Sequence, residues 1–518
     1  MHPWSDASEI FRHRRAKPVE TWERWVLGVL LFLGLQSVAF LAWWWFRLEH
    51  VHDPVLFVLL SLATWYGIFR MLVGWYNAFH VEQPPEKPAP PGLSVAIFTT
   101  SSPGEPYEMF VRTLAAARDV RYPHTTYLLD DTGDPRFAAL AKEMGAVPLE
   151  LVGLPGAKAG KINAALARTT EEFVLVLDPD HVPLPELLDR VLGHFDDPRV
   201  GFVQVAQAYH NASESFVARG AAEQTFAYYG PILQGMHGTG TAVAVGANCT
   251  FRRKALESIG GHGIGLAEDL VTSIRLHAAG WTSVYVPEVV TRGLVPADLD
   301  SYLKQQLKWS RGVHEVLFHE YPKAFRRLTA FQRISYLMIG TYYLVGLTTP
   351  VYVAIPLLYL LLGLQPAAML LSEYLLHALP VGLCGVAIYL FIQRWLCDPV
   401  RERGVHGRGT LLKVGSFSVY LKGLVLAVLG VAVPYIPTAK VRQTGRFWAL
   451  ARLPLFVVAL SLAATAWTIT RRLFVIPEAE VRISTEVTLG MLGFLVLNVV
   501  FMSGRIYAAW QGRPRGTS

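Results

Sequence analysis

Two acidic pairs carry the first chemical signal in this chain. "TTYLLDD" ends in Asp130 and Asp131, and "FVLVLDPDHVPL" runs five apolar residues into Asp178 and Asp180. Carboxylates spaced i and i+2 at the end of an apolar run can supply oxygen ligands to a hard cation that also holds phosphate oxygens. Either pair alone reads equally as turn-forming or helix-capping aspartates. In "LPGAKAGKINAAL", Lys158 and Lys161 sit in a Gly-rich turn entering a helix, where backbone N–H groups and ammonium charges suit a diphosphate. Glu268 and Asp269 open the helical stretch in "GIGLAEDLVTSIRLHAAGW"; the plainer reading is acidic charge favoured by the helix macrodipole. "QQLKWSRG" places Gln305, Lys308, Trp309 and Arg311 on about two helical turns, which alone would read as an amphipathic interfacial helix.

These residues need a frame that brings them together. From Leu93 to about Glu320, the apolar runs "LSVAIF", "TTYLLD", "FVLVLD" and "VGFVQV" alternate with the helical stretches "YEMFVRTLAAARDV" and "KINAALARTTEE". Strand and helix in alternation predict a mainly parallel sheet, with ligands at the carboxyl ends of the strands, where both acidic pairs fall. A haloacid-dehalogenase-type phosphatase also has its DxD after an apolar strand, but on the first strand of its domain. Here the DxD follows another strand-end acidic pair.

The composition belongs to a membrane protein. Of 518 residues, 52% are hydrophobic and 17% charged, and the mean hydropathy is +0.32. Trp25 to Phe46 and Pro54 to about Tyr76 are each long enough for the roughly 20 residues that cross a bilayer, with Trp43 to Trp45 as an aromatic belt and Arg70 placed to snorkel. "FRHRRAK" before the first crossing predicts an anchor with a cytoplasmic N-terminus. The net charge of +7 reads as topology and not as a nucleic-acid surface, because the basic residues flank apolar segments. Cys249, Cys384 and Cys397 have neither disulfide nor zinc spacing. The proline-rich "VEQPPEKPAPPG" separates the membrane hairpin from the α/β region. After Glu320 the apolar segments return. Arg401, Arg403, Arg408 and Lys413 place the 397–413 segment on the cytoplasmic side. With that side fixed, Ile334 to Leu347 and Leu411 to Val433 are expected to lie along the membrane as interfacial helices, leaving four crossings; the alternative is six. Arg471 and Arg472 fall outside in both schemes.

In this order the motifs DD, AKAG, DxD, ED and QxxKW resemble the processive family-two glycosyltransferases, above all bacterial cellulose synthase catalytic subunits, which are related to hyaluronan and chitin synthases. "EPYEMFVRTLAAA", "FVQVAQAYHN", "FAYYGPILQG" and "RRKALESIGGH" are similar to that family's connecting segments, and "YIPTAK" resembles its FxVTxK gating loop. The resemblance covers roughly residues 94–440. It implies an α/β GT-A-type glycosyltransferase domain, with a mixed, mainly parallel sheet, inserted between N- and C-terminal α-helical transmembrane regions. The expected division is 1–85, cytoplasmic N-terminus and two crossings; 86–320, cytoplasmic catalytic domain; and 321–518, interfacial helices, gating loop and about four crossings.

The resemblance also implies roles. Asp131, with Asp130 beside it and Lys158, would hold the uridine end of a UDP-sugar, and Glu105, Gln305, Lys308 and Arg311 belong to the same donor site. Asp178 and Asp180 would approach the diphosphate through Mg²⁺ or Mn²⁺. Asp269, with Glu268 beside it, would be the general base that takes the acceptor's proton, and one base implies inversion to a β-linked product. Trp309 would stack on the acceptor sugar, with His181 also on the acceptor side and weakly favouring glucose. Tyr435, Thr438 and Lys440 would form the gate.

The departures from the family's pattern are Lys308 for arginine, Ala267 for threonine before ED, "AVGAN" for FFCGS, and "TTSSPGEP" for the TYNEP region. They bear on the sugar and the linkage more than on the reaction type. The expected activity is polymerisation of a β-glucan from UDP-glucose, with secretion through the enzyme's own channel. Expected partners are the UDP-sugar, the growing polysaccharide and membrane lipids, with no nucleic acid. In a bacterium the expected location is the inner membrane, with both termini cytoplasmic, and no cyclic-di-GMP-binding domain is expected after the last crossing. A single-addition enzyme acting on a lipid acceptor, a hyaluronan- or chitin-type synthase, and a membrane transporter or scaffold with a degenerate transferase domain are the alternatives.

Overall fold

The computed structural model describes residues 9–433, 440–445, 447–475 and 485–512. Eleven strands occur among them: β1 Arg14–Arg15, β2 Val95–Thr100, β3 Thr125–Asp130, β4 Val147–Glu150, β5 Phe173–Leu177, β6 Val182–Pro183, β7 Val200–Val205, β8 Cys249–Arg252, β9 Thr282–Val286, β10 Glu288–Val289 and β11 Thr291–Arg292. Seven of them form one sheet in the order β4-β3-β2-β5-β8-β7-β9. β8 runs antiparallel to both neighbours, and every other pairing in this sheet is parallel. The sheet is therefore mixed and mainly parallel, as expected.

The five apolar residues of β5 follow from its central position. Phe173, Leu175 and Leu177 enter one core cluster, and Val174 and Val176 enter another on the opposite face. A strand covered on both sides reads as a continuous apolar run and not as an alternation. The helix expected from "KINAALARTTEE" spans Ala157–Leu166 and stops short of Glu172. Instead of continuing the helix, Thr169 turns its hydroxyl back to the Ala165 carbonyl (2.8 Å).

The chain is a multi-pass membrane protein. Six described helices are long and apolar enough to cross a bilayer: Thr21–Trp45, Pro54–Phe79, Ala330–Leu362, Leu371–Trp395, Phe447–Leu473 and Thr485–Gln511. One expectation is corrected here. Ile334 to Leu347 is not a separate interfacial helix; it is the first half of the 33-residue Ala330–Leu362 run. That run tightens at Tyr342–Leu344, and the Pro54–Phe79 helix satisfies the local carbonyls. Tyr66 donates to the carbonyls of Thr341 and Tyr342 (3.0 and 2.9 Å), and Arg70 to that of Met338 (2.6 Å). Irregular backbone at membrane depth persists only where neighbouring helices supply such partners. The expected Leu411–Val433 segment is a bent pair, Gly407–Gly415 and Phe417–Val428, meeting at 50°.

The N-terminal basic segment is built into the α/β domain. β1 pairs antiparallel with β10, Arg14 opposite Val289 and Arg15 opposite Glu288. Glu288 is buried and takes His13 at 2.8 Å. At the start of the first span, buried Glu23 holds Arg394 at 2.9 Å and Lys17 at 3.2 Å.

Candidate active site

The two acidic pairs end neighbouring parts of the sheet but have different surroundings. After β3, Asp130 is buried and accepts from the Ser101 hydroxyl (2.6 Å), the Thr132 hydroxyl (2.7 Å) and the Thr132 amide (3.0 Å). Its carboxylate thereby holds the turns after β2 and β3. Asp131 accepts from the Gly153 amide (2.8 Å), and Lys161 lies 3.3 Å away. Lys161 also donates to the Ser101 carbonyl and the Ser102 hydroxyl (2.6 and 3.0 Å). The lysine that reaches Asp131 is thus Lys161. Lys158, one helical turn earlier, points instead to Asp178 and the Gly246 carbonyl.

After β5 the carboxylates are held by cations. Lys158 pairs with Asp178, and Lys440 lies 2.9 Å from Asp180. Burial opposes ionisation of both aspartates, but Lys158 beside Asp178 and Lys440 beside Asp180 hold both carboxyls below the usual range. Glu105 belongs to the same neighbourhood: its carboxylate accepts from the Ser102 amide (2.8 Å), and burial pushes it up to about 7. Of the residues expected to form the gate, Tyr435 and Thr438 lie outside the described residues; Lys440 is in the site.

Asp178, Asp180 and His181 each offer a ligand atom, and these atoms lie within 4.8 Å of one another. Asp180 Oδ1 and His181 Nδ1 face each other at 3.4 Å, and these two atoms and His181 Nε2 are buried without a hydrogen bond among the described residues. Buried orphans of this kind call for a partner. A carboxylate pair with an imidazole is a suitable donor set for Mg²⁺ or Mn²⁺, so these residues fit the expected cation. The structure therefore gathers His181 with the two aspartates.

The general-base candidates face this cluster across Lys158, whose charge acts on Asp178, Glu268 and Asp269 alike. Burial pushes Glu268 up, and burial together with neighbouring Glu268 pushes Asp269 up to about 7. Gly312, on the Leu299–Glu315 helix, sits so close to the backbone of Leu266 and Ala267 that a side chain there would collide with it. This contact seats the helix carrying Gln305, Lys308 and Trp309 against the residues that lead into Glu268. Burial lowers the pKa of Lys308, which feels the charges of Glu268, Lys440 and Asp178. Arg311 is not brought to the carboxylates: it pairs with Glu315 and donates to the Val431 carbonyl (3.3 and 3.2 Å).

Two contributors escaped sequence reasoning. The Ser101 hydroxyl orients Asp130, and the Leu294 amide donates to Asp180 Oδ2 (3.2 Å). The first lies in the segment that departs from the family's pattern. The second is a backbone group and leaves no mark in the sequence.

Residues 173–392 match the family model described as "Glycosyl transferase family group 2". The match begins at the first residue of β5, so it includes the DxD turn, Glu268–Asp269 and the Leu299–Glu315 helix, and leaves the β3 end outside. Among curated proteins, the chain is 26% identical over 368 residues to "Cellulose synthase catalytic subunit [UDP-forming]" of Komagataeibacter sucrofermentans, covering 67% of this chain and 48% of that protein. It is 25% identical over 339 residues to the protein of the same name in Xanthomonas axonopodis pv. citri, covering 61% of this chain and 46% of that protein. The chain thus spans about half the length, or less, of these relatives. Among solved structures, a mannosyltransferase from Pyrobaculum calidifontis in complex with GDP-Man and Mn²⁺ superposes with a TM-score of 0.49 at 17% identity, over 73% of this chain and all of that one. The DxD turn, the buried acidic pair Glu268–Asp269 and much of the mixed, mainly parallel sheet thus fall in a stretch that is similar to glycosyl transferase family group 2.

Proposed function

We propose that the protein is a membrane-embedded, inverting glycosyltransferase that polymerises a β-linked polysaccharide from a UDP-sugar and passes it into its own membrane region. The observation that carries this reading is the seating of the Leu299–Glu315 helix. Its Gly312 packs on Ala267 beside the base candidates, and its C-terminal end continues through Val316–Ala324 towards the Ala330–Leu362 span. An acceptor held at Trp309 would therefore lie between the reacting centre and the membrane. Relatives named as UDP-forming cellulose synthase catalytic subunits favour UDP-glucose and a β-glucan.

In this reading Asp269 takes the acceptor hydroxyl's proton, and a base titrating near 7 is matched to work near neutral pH. Asp131 receives the uridine end, and Lys161 fixes its carboxylate. Lys158 and Lys440 place two positive charges where the diphosphate would lie, and Lys308, which feels Glu268, Lys440 and Asp178, adds a third. Asp178, Asp180 and His181 would hold Mg²⁺ or Mn²⁺, which when bound offsets charge on the departing nucleotide and is worth several kcal/mol. The catalytic domain, residues 86–320, and both termini lie on the cytoplasmic side in this proposal, with residues 1–85 and 321–518 forming the membrane regions.

The test uses purified protein in lipid with Mg²⁺ or Mn²⁺, following UDP release across a panel of UDP-sugars and digesting any insoluble product with linkage-specific glucanases. Release from UDP-glucose with a long product cut by one such enzyme is expected. Release only on addition of a lipid acceptor, with no polymer, would overturn the polymerising assignment.

A further inference from the structure

The turn that carries Asp180 and His181 is walled by β11 and the residues after it. β11 pairs antiparallel with β6, Arg292 opposite Val182 and Thr291 opposite Pro183, immediately downstream of the DxD. Gly293 lies so close to the His181 ring that any side chain there would run into it. The Leu294 amide donates to Asp180 Oδ2 at 3.2 Å. Gly293 itself is fixed by backbone bonds to Ala208 and His210 (2.8 and 3.1 Å).

What holds β11 from behind comes from the membrane region. Arg292, 2% exposed, donates to Asp398 Oδ2 at 2.6 Å, and Asp398 is fully buried. Asp398 lies three residues beyond the Leu371–Trp395 span. Its backbone amide donates to Glu402 Oε2 (3.1 Å), Arg401 stands 3.8 Å from its carboxylate, and Arg14 of β1 approaches to 4.0 Å. Breaking a buried ion pair leaves an uncompensated charge, so the strand bearing Arg292 is expected to move until that charge finds a new partner. Any such shift is passed on through two consecutive residues, Gly293 against the His181 ring and Leu294 on the Asp180 carboxylate.

We propose that Asp398 and Arg292 are positioning residues for the Asp180–His181 turn, so that the loop leaving the Leu371–Trp395 span sets the geometry of the cation-binding carboxylate. This rests on the reading of Asp178 and Asp180 as cation ligands. Groups that orient a ligand from behind are worth one to two orders of magnitude in metal affinity elsewhere.

The test reads Mn²⁺ affinity directly, by the electron paramagnetic resonance signal of free Mn²⁺ titrated into the full chain in lipid with UDP present. Asp398→Asn is expected to weaken binding about tenfold. Glu171→Gln removes a largely buried carboxylate that pairs with Arg253 (3.8 Å) at the end of β5 opposite the DxD, away from β11; it is expected to lower thermal stability and leave Mn²⁺ affinity unchanged. Should Asp398→Asn not fold, Arg292→Lys keeps the buried charge but not the geometry, and is expected to weaken binding about threefold, a smaller loss than removing the carboxylate because the pair is strained and not broken. Restored affinity in Asp398→Glu is the expected conservative rescue. Wild-type affinity in Asp398→Asn or Arg292→Lys, or an equal loss in Glu171→Gln, overturns the positioning role while leaving the cation assignment intact. If the wild type binds Mn²⁺ no better than Asp180→Asn, the cation assignment itself falls.

Discussion

The acidic pair after β3 and the one after β5 look alike in the sequence but differ in what they are free to do. Asp130 receives hydrogen bonds from Ser101 and Thr132, and Asp131 receives the Gly153 amide. Asp130 Oδ1 takes all three of that residue's hydrogen bonds in shaping the turns, whereas Asp131 leaves its second oxygen to the Lys161 ammonium at 3.3 Å. Asp178 and Asp180 are balanced by lysine side chains, and Asp180 Oδ1 faces the His181 ring at 3.4 Å without a hydrogen bond among the described residues. Neutral donors alone make a carboxylate a structural element, as at Asp130, whereas an ammonium group beside it, as at Asp178 and Asp180, leaves it able to exchange partners. Both sites end an apolar run in two aspartates, adjacent after β3 and one residue apart after β5; the donors around the carboxylates tell them apart.

The comparison breaks most visibly at Asp180. Asp180→Asn is expected to abolish measurable UDP release while the protein still folds, and full activity in membranes would return the DxD to the structural class. Asp269→Asn is expected to lower kcat by about 10² to 10⁴ with UDP-sugar binding retained, read by turnover against nucleotide-binding titration. A pH profile of turnover sharpens the same point. Asp269 is raised to about 7 by burial and Glu268, so its basic form is lost as pH falls through 7, and the rate should drop about tenfold per unit below that. An unchanged rate at pH 5.5 would remove Asp269 as the base. Asp130→Ala should act chiefly on stability, costing about 1–3 kcal/mol by stranding buried donors, seen as a lower denaturation midpoint with smaller losses in activity than Asp180→Asn gives. At the small end, Lys308→Arg keeps the charge and should change kcat/KM by less than about threefold, because no bidentate fork was present to lose.

Much of this architecture was legible in the sequence. β2, β3, β5 and β7 stand out because buried parallel strands are written as uninterrupted apolar runs. β8 does not, because four residues of "CTFR" between two loops carry no periodicity, yet this strand makes the sheet mixed. The two-residue strands β6 and β11 are invisible for the same reason, although they frame the DxD turn. At the site, residue types and order named groups that the fold brings together, but not their pairing. Lys158 and Lys161 lie three positions apart at one helix start, and only the three-dimensional fold shows that Lys161 serves Asp131 and Lys158 serves Asp178. Arg311 shows the limit from the other side: its motif position suggests a phosphate, while its guanidinium closes the end of the neighbouring Phe417–Val428 helix segment at Val431.

The pairing of β1 with β10 also sets an order in time. His13 and Glu288 are separated by 275 positions, and Glu23 and Arg394 by 371. At a synthesis rate of roughly 5–20 residues per second, the N-terminal strand waits about a quarter of a minute to a minute for its partner. The membrane hairpin is therefore translated and inserted long before the joint that ties it to the catalytic domain can close. A segment made before the α/β domain is thus seated only after it, and its closing marks the moment at which anchor and α/β domain become one body.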